Sequence, residues 1–482
     1  QNMFLPGVTE KSIMPLFYQL ANNTVRSAQG FTFNNYFNVN ANYKKIFDHI
    51  HKIDATAGFQ LASNYTEYDA GTGYNTANDF YKTLGYVNST SRNYFGYNHA
   101  WNWLNFNTVI KYDYKNILGV GLTGSFDASS ATGIDAPLFQ FYPAINVVWN
   151  AASSVLYDVD VINKLNIRSE YAISGNSRFS SNLSKYYYSN KVYRELSGLT
   201  LAGVPNTEII PETKNTLNFG IDASMFKHRL DITADIYRAL NHNLIMPVSV
   251  SAAYGTNYLY KNAASAVNTG FEVGINYAVI VKGDFRWNVG ATVTGNKCEI
   301  TSLGGQNTMI FQMSDGSALI SEIGKPLYSF YGYQTTNGNS VFASTTDAQA
   351  AALKNSAGKT FRPGDVHFVD QNSDGVIDDR DRVNLGSADP DLFGRIFTTF
   401  QYKNFELCAN FGYSLGNKMY NAVRRNMESM SDFTNQLVSV NKRWMSEGQV
   451  TQIPRVDYGD PMGNNRFSDR WIENASYLKL KE

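Results

Sequence analysis

Cysteine is nearly missing from this sequence. Cys298 and Cys408 are its only two in 482 residues. They lie far apart, without metal-ligand spacing and with no histidine at motif distance, which leaves no cysteine-based metal centre. Each reads as a small apolar residue, buried or facing lipid. No run of 18 apolar residues occurs, so no helix is written that could span a membrane. Charge is scarce at 17%, against about 25% in an average soluble domain. Lys+Arg and Asp+Glu both total 41, for a net charge of zero. With no polybasic patch and no acidic tail, nothing points to nucleic acid. The six histidines (His49, His51, His99, His228, His242 and His367) are scattered, which argues against a histidine-based metal site. His49 and His51, two apart, read as a turn beside Lys52. There is no G-x-S-x-G, no HExxH and no glycine-rich dinucleotide loop after a strand, so the chain reads as no enzyme. A glycosidase-like carboxylate pair is the one enzymatic pattern that a sequence leaves open. No leader is visible at Gln1, and the chain reads as mature or truncated.

What is abundant is aromatic: 14% of residues, carried by 32 Tyr and 30 Phe. A chain this long is two or three soluble domains or one large closed sheet, and the patterning decides. Phe31, Phe33, Phe37, Val39, Ala41 and Tyr43 alternate with Thr32, Asn34, Asn38, Asn40 and Asn42. Ile53, Ala55, Ala57, Phe59 and Leu61 alternate with Lys52, Asp54, Thr56, Gly58 and Gln60. The same period recurs around Leu118–Leu122, Leu165–Ile173, Leu217–Ala223, Leu230–Ile236, Phe271–Tyr277, Phe285–Val293 and Phe405–Tyr413. Period-two alternation on this scale predicts an all-β protein with one apolar and one polar face.

The segments are about ten residues long, the length of a tilted strand crossing a bilayer. Short turns at 112–116, 225–229 and 281–284 alternate with long polar connections near 63–99, 176–211 and 303–384. That rhythm predicts a large antiparallel transmembrane β-barrel, with short turns periplasmic and long loops extracellular. Its polar face would line a water-filled lumen. A soluble sandwich would show shorter, more evenly spaced strands.

Aromatic clusters at Trp101 and Trp103, Tyr112 and Tyr114, and Tyr328, Tyr331 and Tyr333 are expected in the interfacial girdle of such a barrel. Tyr186, Tyr187 and Tyr188, inside a long loop, remain candidate substrate contacts. In 421–445, Val423, Met427, Met430, Phe433, Leu437 and Val440 recur at three- and four-residue steps, predicting a loop helix with Asp432 a candidate cap.

The strongest local motif lies in a long loop region spanning 303–390. Asp370, Asn372, Asp374, Asp378 and Asp381 fall at positions 1, 3, 5, 9 and 12 of a twelve-residue loop, with Gly375 at 6. Val376 would offer its backbone carbonyl at position 7, and Ile377 would point inward. This is the spacing of a loop wrapped around Ca²⁺. Carboxylates this crowded repel one another unless a cation lies among them, whereas an Asx-rich turn would explain fewer of the positions. The expected metal site is therefore Asp370, Asn372, Asp374, Val376, Asp378 and Asp381. Aspartate at position 12 shortens the usual glutamate by one methylene. Pro363, Gly364 and Pro390 flank the loop where a sensor hand would have helices, so a static structural clip over 370–381 is expected.

Six phrases, in order, resemble the SusC/RagA-like family of TonB-dependent outer-membrane transporters. They are YDYKNILGVGLTGSFDASSATG (112–133), FYPAINVVWN (141–150), LNIRSEYAISGN (165–176), EIGKPLYSFYGY (322–333), PGDVHFVDQNSDGVIDDRD (363–381) and RWIENASYLKLKE (470–482). Residues before about 110 match only in style, and DASSATG departs from the basic and aromatic pair the family often carries after the serines. The resemblance implies a 22-stranded barrel around an N-terminal plug, of which 1–482 would be the middle and later barrel portion, without a recognisable plug or TonB-contacting segment. It implies import of oligosaccharides or peptides across the outer membrane of a Gram-negative bacterium. A SusD-like surface lipoprotein would cap the mouth, and TonB–ExbB–ExbD would supply energy. A passive porin or adhesin barrel is the alternative, and a secreted β-rich glycan-active enzyme a more distant one.

Overall fold

The structure, a computed structural model, describes residues 2–4, 23–76, 78, 80–88, 91–156, 159–193, 196–251, 253, 258–336 and 341–482. Fourteen antiparallel strands form one sheet. In order across the sheet they are Asn2–Phe4, Asn23–Phe47, His51–Tyr74, Arg92–Tyr114, Leu118–Ser129, Phe139–Asn150, Ile162–Asn176, Glu212–Met225, Leu230–Ser249, Tyr258–Lys282, Phe285–Leu303, Leu392–Tyr402, Phe405–Leu415 and Tyr477–Leu480. Among the described residues the two end strands do not pair with each other, so this is a wall section of the expected barrel.

The register shows why these residues form a wall. Ile53, Phe59 and Leu61 pair with Tyr112, Phe106 and Leu104. Phe106 and Ile110 pair in turn with Phe126 and Leu122, which pair with Phe141 and Ile145. The belt continues through Tyr171, Leu217, Ile236, Phe271, Ile396 and Phe411. Most of these side chains are exposed, covering one face of the sheet with apolar groups. In His51–Tyr74 the belt spans Ile53 to Leu61 and gives way to Ser63, Tyr65, Glu67 and Asp69. Nine residues at about 3.3 Å each make about 30 Å, the thickness of a bilayer's hydrocarbon core. The ten-residue periodicity thus marks the membrane-crossing part of strands that run up to 25 residues.

Two expectations about connections change. The loop expected at 63–99 is mostly strand: pairing continues from Ser63↔Asn102 to Gly73↔Arg92, leaving only 75–91 as loop. Apolar alternation stops there because this stretch lies beyond the belt, while cross-strand contacts such as Tyr68–Tyr97, with centroids 5.5 Å apart, still hold the ladder. The second change concerns the helix predicted over 421–445. It is a short helix, Ala422–Met427, followed by a separate 3₁₀ turn at Val438–Lys442. Asn421 caps it by accepting from the Arg424 N–H, whereas Asp432 accepts from the N–H of its own neighbour Phe433. Of the six spaced apolar residues only Met430 and Val440 are buried, packed with Ile453, and Met430 has φ of +48°, which no helix allows.

Tight turns at 48–50, 115–117, 226–229, 283–284 and 403–404 gather at one rim, and the long connections at the other. His49, with φ of +59°, lies in such a turn, whereas His51, read as part of the same turn, begins the strand His51–Tyr74.

The packed core lies in the loops. Connections 304–391 and 416–476 fold together. Thr308–Gln312, Ala318–Glu322, Ser329–Tyr333 and Arg382–Gly386 form a four-stranded sheet. Tyr333, Phe342, Leu353, Phe361, Val366, Phe368, Ile377 and Met462 pack into a buried cluster drawn from both connections. A short helix, Thr345–Ala351, starts with a reciprocal cap between Ser344 and Asp347.

Candidate functional site: the polar wall and the loop domain

The face opposite the belt is polar and divides in two. Across Asn23–Phe47 to Leu118–Ser129 it carries amides and indoles. Asn64 donates to Asn34 at 2.7 Å, Thr56 to Asn42 at 2.7 Å and Asn107 to Asn105 at 2.7 Å. Trp103 donates its indole N–H to Asp127 at 3.3 Å, and Trp101 to Ser129 at 3.2 Å. Both tryptophans therefore stand on the polar face, which corrects their expected place in a girdle: Leu104 and Phe106 hold the belt parity of that strand. Tyr112 and Tyr114 do share the belt face beside the turn rim, where Tyr112 meets His51 at 2.8 Å. Tyr331 and Tyr333 belong to the loop-domain sheet, and Tyr328 lies just before it. Tyr333 is buried there, which removes this cluster from the girdle too.

Further along, the polar face becomes ionic. Arg168 donates to Asp222 at 2.9 and 3.1 Å and to Asp235 at 2.9 Å, and Asn218 adds a bond to Asp235 at 3.0 Å. The guanidinium crosses Gly220, where an added Cβ would come within 2.7 Å of its Cζ and meet Asp235. Glycine at that position makes room for the bridge. A cavity of about 600 Å³ beside it is lined by Glu170, Lys214, Tyr237, Glu272 and Asn296. The alternation exposed these as polar positions, but the network needs the cross-strand register and was missed. Like-parity charges on Arg168, Asp222 and Asp235 were the available signal.

Loop 370–381 turns sharply at Gly375. Gly375, at φ +79°, donates to Asp370 Oδ2 at 2.7 Å. Asn372 Oδ1 accepts from the Asp374 N–H, and Asp374 Oδ1 from the Val376 N–H. Asp381, fully buried, accepts from the backbone of Gln371 at 2.9 Å and Asp378 at 2.7 Å. Ile377 points into the core as its pattern required. Arg380 reaches Asp374 and Asp378, each at 2.7 Å, and its hydrogen bonds hold the Asp378 carboxyl below its ordinary range. Among the described residues no three His, Cys, Asp or Glu side chains converge as a metal cluster. The donor set nonetheless suits a hard cation, because it is all oxygen and Asp370 Oδ1 is buried without a hydrogen-bond partner.

Tyr186 and Tyr188 are well exposed at the start of a hairpin, Tyr187–Tyr193 with Leu196–Gly203, in the loop after Ile162–Asn176. The Tyr187 side chain lies outside the described residues. A cleft of about 630 Å³ opens nearby in the chain, between residues 178–182 of this loop and the polar faces of His51–Tyr74 and Arg92–Tyr114.

The family described as TonB dependent receptor-like, beta-barrel matches residues 11–309. Among named relatives, TonB-dependent receptor P39 of Formosa agariphila is 26% identical over 480 residues, covering 91% of this chain and 45% of the relative. TonB-dependent receptor SusC of Bacteroides thetaiotaomicron is 25% identical over 359 residues, covering 70% of this chain and 33% of SusC. A solved structure, the RagAB peptide transporter, superposes with a TM-score of 0.78 at 19% identity, over 95% of this chain and 49% of that one, a likeness of fold. The chain spans about half the length of the relatives it matches most broadly. With its belt, its polar wall and a family match over well more than half its length, the chain belongs to the TonB dependent receptor-like β-barrel family and is a protein of the outer membrane.

Proposed function

We propose that this wall section belongs to an active importer that brings oligosaccharides or peptides across the outer membrane. TonB–ExbB–ExbD would supply the energy and a SusD-like surface lipoprotein would cover the mouth. The observation that carries the reading is the pairing of a polar inner face with a folded domain built from two loops on one rim. A wide barrel leaves a lumen that must be plugged and gated to avoid leakage, and a large ordered loop domain is what a lid would dock on. The likeness to SusC and to RagAB agrees with this reading. On it, 303–390 and the short helix within 421–445 face the outside, and Tyr186 to Tyr188 are candidate substrate contacts.

In the same reading 370–381 is a calcium clip. Asp370, Asn372, Asp374, Asp378, Asp381 and the Val376 carbonyl would hold the ion. Bound calcium would supply positive charge that relieves repulsion among these carboxylates. Asp381 ties the loop's end to its start at Gln371, Ile377 anchors it in the core, and Arg380 partly neutralises the rim.

The test compares accumulation of labelled oligosaccharides and peptides in cells with and without tonB, together with affinity purification of the intact protein. Energy-dependent uptake and a co-purifying lipoprotein are expected. Uptake that is unchanged without tonB would favour a passive porin.

A further inference from the structure

The geometry points to the cleft between Trp101 and Arg178 as a subsite for an anionic sugar unit, one that bears a carboxylate or sulfate. This rests on the import reading above and narrows its substrate.

The cleft's size, about 630 Å³, is that of a small-ligand site. Two strands of the sheet separate its two halves, so residues 178–182 must reach across Leu118–Ser129 and Phe139–Asn150 to form it. Its lining includes Asn64, Tyr97, His99, Trp101, Arg178 and Asn182. No carboxylate lines it. Among the described residues the Arg178 guanidinium meets no acidic partner and the Asn182 side-chain amide none at all, whereas Arg168 in the ionic half of the wall is held by two carboxylates. The cleft is therefore positively charged, with one planar donor fork unspent. Guanidinium groups favour planar oxyanions, which they bind through paired, charge-assisted hydrogen bonds.

The remaining chemistry selects a sugar over a peptide. Trp101 commits its N–H to Ser129 at 3.2 Å, so a ligand meets the ring and not its donor. Pyranose C–H faces stack on such rings. Asn64 is already tied to Asn34 at 2.7 Å, which fixes its amide, while Asn182 is uncommitted. Fixed amides suit vicinal hydroxyls. A peptide site would need apolar pockets for alternate side chains; here the apolar lining is the rings of Tyr97, Trp101 and Phe179, with Tyr97 half exposed and its ring tilted against Tyr68.

The experiment uses the intact protein in detergent, titrated with tetragalacturonate, a carrageenan tetrasaccharide, maltotetraose and an acidic tetrapeptide, and read by tryptophan fluorescence and calorimetry. One or both anionic sugars should bind at least about tenfold tighter than maltotetraose, the order expected of a charge-assisted bond. Their ratio distinguishes carboxylate from sulfate. Arg178→Ala should remove the preference, and Arg178→Glu should reverse it. Equal binding of charged and neutral sugars, indifference to Arg178, tighter binding of the peptide, or no binding by any probe overturns the proposal. Uptake separates the two layers. Entry that needs tonB but ignores Arg178 sinks the subsite alone, whereas entry that needs Arg178 but not tonB sinks the import reading alone.

Discussion

Arg455 donates its Nε–H to the fully buried carboxylate of Asp365 at 2.9 Å, joining two loops that belong to different strand pairs of the wall. The same carboxylate accepts from Asn464 at 3.1 Å and from the Arg362 backbone at 2.8 Å. Three groups from two connections thus converge on one charge, and neither loop holds it alone. Arg455 keeps Asp457 at 2.6 Å, so the loss falls on the hydrogen bonds that Asp365 gathers. Asp365→Ala should therefore destabilise the loop domain by about 2–3 kcal/mol. Limited trypsin digestion of the intact protein is the check. Cleavage within 304–391 and 416–476 should appear, while the wall keeps its heat-modifiable migration. An undisturbed digestion pattern would show that the two loops fold independently.

The loop domain should also weaken in mild acid through His367. Its imidazole stacks on Phe342, with centroids 4.2 Å apart and planes at 23°. Burial lowers its pKa below the ordinary 6.5, and Asp347 only partly opposes this. Because the folded state binds the proton less readily than the unfolded one, its stabilising share is complete above pH 6.5. It is lost as pH falls through the lowered value. Unfolding of the domain between pH 7.5 and 5 should show this decline, and His367→Gln should flatten it. A variant as acid-sensitive as the parent would assign the effect elsewhere.

How much of this the sequence disclosed follows from what a period can carry. The belt was legible because lipid facing imposes alternation residue by residue, as in Ile53 to Leu61. The turn at Gly375 and the inward Ile377 were legible because their spacing is local. Strand length was not: beyond Ser63 both faces are polar, so alternation vanishes while pairing persists. The girdle placement of Trp101 and Trp103 failed because aromatic content says nothing of parity, and parity was there to read against Leu104 and Phe106. The Arg168 bridge joins residues on separate strands and the cleft joins strands to the distant loop at Arg178, and neither register nor loop path appears in any single segment.

Calcium should stiffen the clip. Terbium luminescence or calorimetry on the intact protein should detect one site that Asp370→Ala abolishes, since that residue carries the unpartnered oxygen. Chelator should expose the chain between 364 and 386 to protease, and Asp374→Ala should do the same without chelator. If neither treatment alters protection and no ion binds, Arg380 alone neutralises the loop.

Opposite faces of one strand pair give the most direct test of the wall. Ile110 lies in the belt between Ala55 and Leu122, whereas Thr123, next to Leu122 in sequence, faces the polar side between Val109 and Ala144. In a bilayer no water is present to solvate a charge on the belt, and an arginine near the midplane costs about 2–4 kcal/mol. Ile110→Arg should lower the urea midpoint in lipid vesicles accordingly. Thr123→Lys places its charge in a water-filled lumen and should change stability by no more than about 0.5 kcal/mol. The two positions share a sheet neighbourhood, so differences in local propensity cannot account for a large gap between them. Equal losses at both would mean that the second face is as dry as the first, and that the wall encloses no aqueous path.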